Sequence, residues 1–184
     1  GIEIVKCQYD DVLSFSDGLA MVVKDEKCGF INTEGIEVIK PQYDSASIFS
    51  DGLALIAKEE KCGFINTEGI EVIPCRYDNA SDFSEGLAAV NKDGKWGFIN
   101  KKGKEVIACQ YNYVFNFSDG LARVIKDGKY GLINMEGTAI VNCRYDQLYK
   151  FSNGLAPAKN DGKWGFINTD GTEVINCQYD NITF

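Results

Sequence analysis

Hydrophobic residues in this chain come in short bursts, never in long runs. In Leu87-Ala88-Ala89-Val90-Asn91-Lys92, Ala88 and Val90 stand two apart, and the same spacing returns at Ala20/Val22, Ala54/Ile56, Ala122/Val124 and Ala156/Ala158. A period of two places such residues on one face of a β-strand. Asp93-Gly94, Asp127-Gly128 and Asp161-Gly162 then signal tight hairpins, because both residues tolerate positive φ. The next burst, Lys95-Trp96-Gly97-Phe98-Ile99-Asn100, is predicted as a second strand. It ends in the turn Asn100-Lys101-Lys102-Gly103, where the asparagine caps its own turn and glycine takes the left-handed position. Glu105-Val106-Ile107 is predicted as a third, short strand. The link between bursts carries Tyr77-Asp78 and Phe83-Ser84-Glu85-Gly86, read as an aromatic-anchored loop with one capped helical turn.

This pattern repeats with a period of 34 residues. Gly-Leu-Ala begins at Gly18, Gly52, Gly86, Gly120 and Gly154, and Phe-Ser at Phe15, Phe49, Phe83, Phe117 and Phe151. Nothing interrupts the register, so residues 1–184 are read as one array, 1–34, 35–68, 69–102, 103–136 and 137–170, with a partial sixth unit at 171–184. Helical 34-residue repeats are excluded, since three recurrent glycines per unit would each cost a helix interior about 1 kcal/mol. The expected fold is all-β: about three short antiparallel strands per unit plus the loop, stacked as an open right-handed superhelix. The alternative is a closed five-bladed propeller-like ring. Blades usually carry four strands, but residues 171–184 copy residues 1–14 and such ends could pair.

The Trp-Gly pairs in Lys95–Asn100 and Lys163–Asn168, with the Tyr-Asp, Phe-Ser-x-Gly-Leu-Ala and Asn-x-x-Gly elements around them, resemble the bacterial WG-repeat family along the whole chain. The resemblance implies a repeated β module, often fused to other domains, that binds and has no established chemistry of its own. The sequence departs from the pattern at Cys28, Cys62 and Tyr130, which replace the tryptophan. Asp25-Glu26 and Glu59-Glu60 replace Asp-Gly in the first two units and should form a tight hairpin less readily. Family members usually carry proline two positions before the tyrosine; here only Pro41 keeps it, with Cys7, Cys75, Cys109, Cys143 and Cys177 in the other copies. A tryptophan replaceable by cysteine reads as a packing residue, so Trp96, Trp164 and Tyr130, with Gly97, Gly165, Phe98 and Phe166, are assigned structural roles.

Charge and composition remove several functions. The net charge is −8, with three Lys against seven acids in the first unit and three against six in the second. An acidic chain without a basic stripe is a poor nucleic-acid binder. No apolar run approaches the roughly 20 residues that span a bilayer. There is no histidine, the commonest general base and metal ligand. The recurrent serines therefore lack a base, and no glycine-rich phosphate loop is present. Seven cysteines form series 34 residues apart without a Cys-x-x-Cys pair, which reads as small buried hydrophobes. The odd count suits reduced thiols and a cytoplasmic setting. The series Asp10, Asp44, Asp78, Asp146 and Asp180, broken by Asn112, supplies one carboxylate per unit, which suits capping better than a calcium site. No cofactor, metal or catalytic residue is expected, and the chain is read as a non-enzyme.

The positions that vary between repeats carry the remaining information. On the first predicted strand, the residues between the constant ones are Met21, Leu55, Ala89, Arg123 and Pro157, then Val23, Ala57, Asn91, Ile125 and Lys159. A fixed inner face beside a drifting outer one is how repeat proteins tailor a binding surface. A protein partner is expected there, without membrane insertion. Glycan or cell-wall binding by the repeated aromatics is the alternative. The chain is read as a monomer or as part of a longer repeat array.

Overall fold

A computed structural model of the chain describes residues 8–183. It contains twenty strands and, among the described residues, no helix. They form five antiparallel four-stranded sheets, each a meander. The first is β1 (Asp11–Ser16), β2 (Leu19–Lys24), β3 (Lys27–Asn32) and β4 (Glu37–Tyr43). The second is β5 (Ser45–Ala46), β6 (Leu53–Lys58), β7 (Lys61–Asn66) and β8 (Glu71–Tyr77). The third is β9 (Asn79–Ala80), β10 (Leu87–Lys92), β11 (Lys95–Asn100) and β12 (Glu105–Tyr111). The fourth is β13 (Tyr113–Val114), β14 (Leu121–Lys126), β15 (Lys129–Asn134) and β16 (Ala139–Tyr145), and the fifth is β17 (Gln147–Leu148), β18 (Leu155–Asn160), β19 (Lys163–Asn168) and β20 (Glu173–Tyr179). The chain divides into two compact units, Gly1–Asp93 with Asn100–Lys104, and Gly94–Ile99 with Glu105–Phe184.

The sheets correct the expected repeat in three ways. Each has four strands, because part of the predicted loop pairs as a further short strand, as Ser45 does with Ala57 and Ala46 with Ile56. The helical turn expected ahead of the recurrent glycine turn is not formed among the described residues, where the short strand and extended chain lead straight into that turn, which is a hairpin. Asp51 (φ 54°) and Gly52 (φ 79°) both lie in the left-handed region, and Ser50 and Leu53 exchange N–H to C=O bonds of 2.9 and 3.2 Å. That is a two-residue turn whose twist matches the strands it joins. The third main strand also runs longer than predicted, through the tyrosine, because a bulge interrupts its alternation.

The bulge explains one constant glycine. Cys62 pairs with Tyr77 and Phe64 with Ile73, so two steps on β7 oppose four on β8. The extra backbone lies directly over Gly63, where a Cβ would stand 2.5 Å from the Ile73 carbonyl oxygen and 2.7 Å from the Cys75 nitrogen. Only glycine leaves room for that approach. Pro41, Cys75, Cys143 and Cys177 occupy the bulging segments of their strands, where no regular ladder bond is required. Cys7 lies outside the described residues.

Asp25-Glu26 and Glu59-Glu60 form tight turns despite lacking glycine, with φ of 49° and 60° and of 52° and 62°. The strands around them keep full register, ending in the pairs Lys24↔Lys27 and Lys58↔Lys61. The recurrent aspartate supports this turn. Asp44 Oδ2 accepts the Glu59 N–H at 2.8 Å, while its other oxygen receives the Lys27 ammonium of the preceding repeat. One carboxylate therefore caps its own hairpin and pins the neighbouring sheet. Lys61–Asp78, Lys129–Asp146 and Lys163–Asp180 repeat the pairing. The asparagine at the second turn caps as expected, with Asn66 Oδ1 accepting from Glu68 and Ile70 at 3.1 and 2.9 Å.

The predicted inner face is the core. Ala54, Ile56, Ala88, Val90, Ala156 and Ala158 are fully buried. Neighbouring sheets are joined by paired rings: Phe49 meets Phe30 edge-on with centroids 4.8 Å apart, and Phe83 meets Phe64 at the same distance. Burying each ring contributes roughly 2–3 kcal/mol. Alongside, Ile39 packs under the turn glycine Gly69. Phe15, equivalent to Phe49, is half exposed.

Candidate functional site

The residues predicted as a variable binding face occupy one geometric position in every sheet but differ in burial. Met21, Ala89 and Pro157 are buried; Val23, Leu55, Ala57, Asn91, Arg123, Ile125 and Lys159 are half-buried. Met21 stands opposite Phe30, Leu55 opposite Phe64, Arg123 opposite Leu132, and Pro157 opposite Phe166. Directly opposite residues of an antiparallel pair share a face. These side chains therefore lie beside the aromatic joint between sheets.

The fourth repeat differs from the others at this joint. Leu132 stands where Phe30, Phe64, Phe98 and Phe166 stand elsewhere, and Phe115 stands where Ser47 and Ser81 stand. Phe98 and Phe117 still form a ring pair at 4.7 Å. Phe151, whose neighbour across the joint is now an aliphatic side chain, is only half-buried. A cavity of about 360 Å³ opens here, with Leu121, Leu132, Phe151 and Phe115 as apolar walls and Arg123, Lys150 and Asp119 as its charged groups. In the unit containing the second sheet, Lys101 reaches across to Asp51, with Nζ 3.2 Å from both the Asp51 carbonyl and a carboxylate oxygen. The matching pair in the fourth and fifth repeats is Asp119 and Thr169, and threonine is too short to make that strap.

Arg123 is the most unusual group in the cavity. Its guanidinium carbon lies 3.9 Å from the centroid of the Phe115 ring, and Nη1 donates to the Leu148 carbonyl at 2.8 Å. Among the described residues no carboxylate pairs with it at ion-pair distance. Burial pushes its pKa below the ordinary arginine value, with the phenol of Tyr130 acting weakly the other way. Arginine stays protonated regardless, so the site holds a half-buried, stacked cation.

An aromatic row leads to it. Trp96 meets Tyr113 at 5.7 Å, Tyr113 meets Phe115 at 5.2 Å, and Phe115 stacks on Tyr130 at 6.4 Å. Trp164 packs against Tyr149 at 5.7 Å, with the Lys159 ammonium 5.4 Å from its ring. Trp96, Trp164 and Tyr130 are half-buried, whereas Gly97, Gly165 and Phe98 are buried and Phe166 half-buried. Sequence reasoning selected Arg123 but passed over Phe115 and Leu132. The signal for Leu132 was its break in a series of phenylalanines.

The cysteines offer no comparable chemistry. Six of them stand outside any disulfide, and burial raises the pKa of Cys28, Cys62, Cys75, Cys143 and Cys177. Raised thiols are poor nucleophiles and poor ligands. Among the described residues no three Cys, Asp or Glu gather as a metal site. No helix among them is long and apolar enough to cross a membrane.

Fold and site together define an all-β tandem-repeat protein. The repeat described as WG containing repeat matches residues 2–28, 29–62, 63–96, 96–130, 130–164 and 164–184 in succession, so the chain belongs to the WG-repeat family. No curated protein matches it by sequence. Solved structures similar to it are β-propeller-like. Kluyveromyces lactis Hsv2p aligns over 90% of this chain and 63% of its own, at 10% identity and a TM-score of 0.52. A eukaryotic initiation factor aligns over 94% and 54%, at 15% identity and a TM-score of 0.57. The chain thus spans less than two thirds of these relatives' length, and the likeness is one of fold.

Proposed function

We propose that this chain is a non-enzymatic interaction module that holds a protein partner on those variable side chains beside its sheet joints that remain accessible, Leu55 and Arg123 among them. The observation that carries this reading is the contrast at one strand position. The β2–β3, β6–β7, β14–β15 and β18–β19 pairs share one register, yet Met21, Leu55, Arg123 and Pro157 fill the same place in it. A constant frame with chemically unlike residues at a fixed point suits recognition and gives no support to catalysis. Described cysteines that stand outside any disulfide suit work in a reducing, cytoplasmic setting.

For the architecture, we infer blades packed propeller-fashion. The open superhelix rested on three strands per repeat; four strands and the propeller-like relatives favour blades. Small-angle scattering tests this, since an elongated rod would return a radius of gyration well above that of a globule of 184 residues.

Binding is tested by cross-linking the purified chain to its host's proteins, alongside a variant with Arg123→Gln and Tyr113→Ala. A partner recovered by the native chain and lost by the folded variant supports the reading; equal recovery by both refutes it. A second reading, glycan binding, draws on the half-exposed rings of Tyr113 and Tyr149, each packed against a tryptophan. A glycan array that scores Trp96→Ala and Trp164→Ala beside the native chain separates the two.

A further inference from the structure

We propose that the cavity beside Arg123 binds a carboxylate borne on an apolar group. Resting on the reading of the chain as a protein-interaction module, we take that group to be the C-terminal residue of a partner polypeptide.

The cation calls for an anion. Of the five guanidinium N–H groups, one bonds the Leu148 carbonyl, and the plane is fixed by the Phe115 ring beneath it. A half-buried charge without a counter-charge is unfavourable, and a carboxylate removes that penalty by accepting two parallel N–H bonds from the guanidinium fork. Stacking on Phe115 holds the fork in place before binding, which lowers the entropy lost when the ligand docks.

The rest of the cavity narrows the choice. Asp119 stands on the same wall, so a dianionic phosphate meets repulsion that a monoanionic carboxylate meets less. Lys150 at the exposed rim adds attraction for an approaching anion. Leu121, Leu132 and Phe151 provide an apolar wall beside the cation. A volume of about 360 Å³ lies at the small end of ligand pockets. It suits one apolar side chain with its terminal carboxylate better than a long peptide stretch. The arrangement combines three features of the fourth repeat: Arg123, Phe115 beneath it, and leucine at position 132. Elsewhere an aromatic joint and, at Lys101–Asp51, an ion pair occupy the corresponding space.

The test is an NMR titration of the ¹⁵N-labelled chain. The probes are N-acetyl-leucine, its primary amide, inorganic phosphate, and a leucine-ended hexapeptide as free acid and as C-terminal amide. The free acids are expected to shift the Phe115, Arg123 and Leu132 amides, with the hexapeptide acid binding at least about tenfold more tightly than N-acetyl-leucine. Both amides should bind at least about tenfold more weakly than their acids. Arg123→Gln should abolish the difference between acid and amide. Leu132→Phe, which restores the ring found in the other repeats, should block binding while leaving tryptophan fluorescence native. Equal binding of acid and amide, phosphate binding as tightly as N-acetyl-leucine, unchanged titrations in Arg123→Gln, or no shifts with any probe would each overturn the site. A hexapeptide no tighter than N-acetyl-leucine would overturn the polypeptide assignment and leave a small carboxylic acid as ligand. Retained acid binding in a chain that cross-links no partner would overturn the interaction-module reading instead.

Discussion

Replacing Gly63 with alanine should damage this fold, although the same change stabilises most strands. Alanine normally gains about 0.5–1 kcal/mol over glycine by restricting the unfolded chain. Here the new Cβ would meet the Ile73 carbonyl oxygen at 2.5 Å, the Cys75 nitrogen at 2.7 Å and the Pro74 carbonyl carbon at 2.8 Å, all backbone atoms. Ordinary contact begins near 3.4 Å, so β8 must retreat by almost an ångström. It is anchored on both sides of the clash by Ile73 and Tyr77, which are buried. Retreat therefore disturbs packing at about 1–3 kcal/mol and weakens ladder hydrogen bonds at about 1 kcal/mol each. The expected net loss is about 2–3 kcal/mol. The series carries its own ranking, because the closest approach is 2.3 Å at Gly165, 2.4 Å at Gly97, 2.5 Å at Gly63 and Gly29, and 2.8 Å at Gly131. At Gly131 one of the two nearest atoms is the Cys143 sulfur, a side-chain atom able to turn away. Urea titration followed by circular dichroism and by Trp96 and Trp164 fluorescence measures the losses. Gly63→Ala as stable as the native chain, or Gly131→Ala more harmful than Gly63→Ala, would refute the close-approach argument.

Glu60→Gly should stabilise by about 0.5–1 kcal/mol, since it relieves a left-handed glutamate at about 1–2 kcal/mol and returns part of that as unfolded-chain entropy; a lowered urea midpoint would contradict it. Phe49→Ala should cost about 3–5 kcal/mol by emptying the ring joint with Phe30, and a thermal melt within a degree or two of native would refute it. The Lys27 and Lys129 contacts, foremost, hold the Asp44 and Asp146 carboxyls below their ordinary value of 3.8. A depressed carboxyl stabilises the fold above its unfolded value and loses that contribution as pH falls through the folded one. The native urea midpoint should therefore drop as pH falls below about 4, and the Asp44→Asn, Asp146→Asn double variant should drop less. Equal drops would refute the assignment. Asparagine should still cap the hairpin, as Asn112 does for Asp127 at 2.8 Å.

Alternation made most of the sheets legible from sequence. Ala88 and Val90, picked by their spacing of two, are fully buried, and the Asp-Gly and Asn-x-x-Gly turns lie where their chemistry put them. The bulge escaped because extra residues on β8 break the period that identifies a strand. The aspartate after the tyrosine read as a helix cap because aspartate caps helices and hairpins alike, and only its bond to the Glu59 N–H and the pairing of Ser45 and Ala46 with β6 decide between them. Glu60 was undervalued for a related reason: its local preference opposes the turn, yet six paired residues on each flanking strand impose it. The Arg123 site was half visible. Its drift between repeats marked it, but the stacking on Phe115 and the space beside Leu132 depend on which side chains meet across a joint.

Those joints also bear on how such a gene changes. Phe30 and Phe49 sit at two fixed places in the same 34-residue word, so every complete copy except the fourth, where Leu132 replaces one ring, carries both halves of the coupling. Recombination that adds or deletes one whole word leaves each new boundary already matched in register. An insertion of any other length parts the two halves. Selection can thus lengthen or shorten the protein in whole words while each copy drifts freely at the position that gave Met21, Leu55, Arg123 and Pro157.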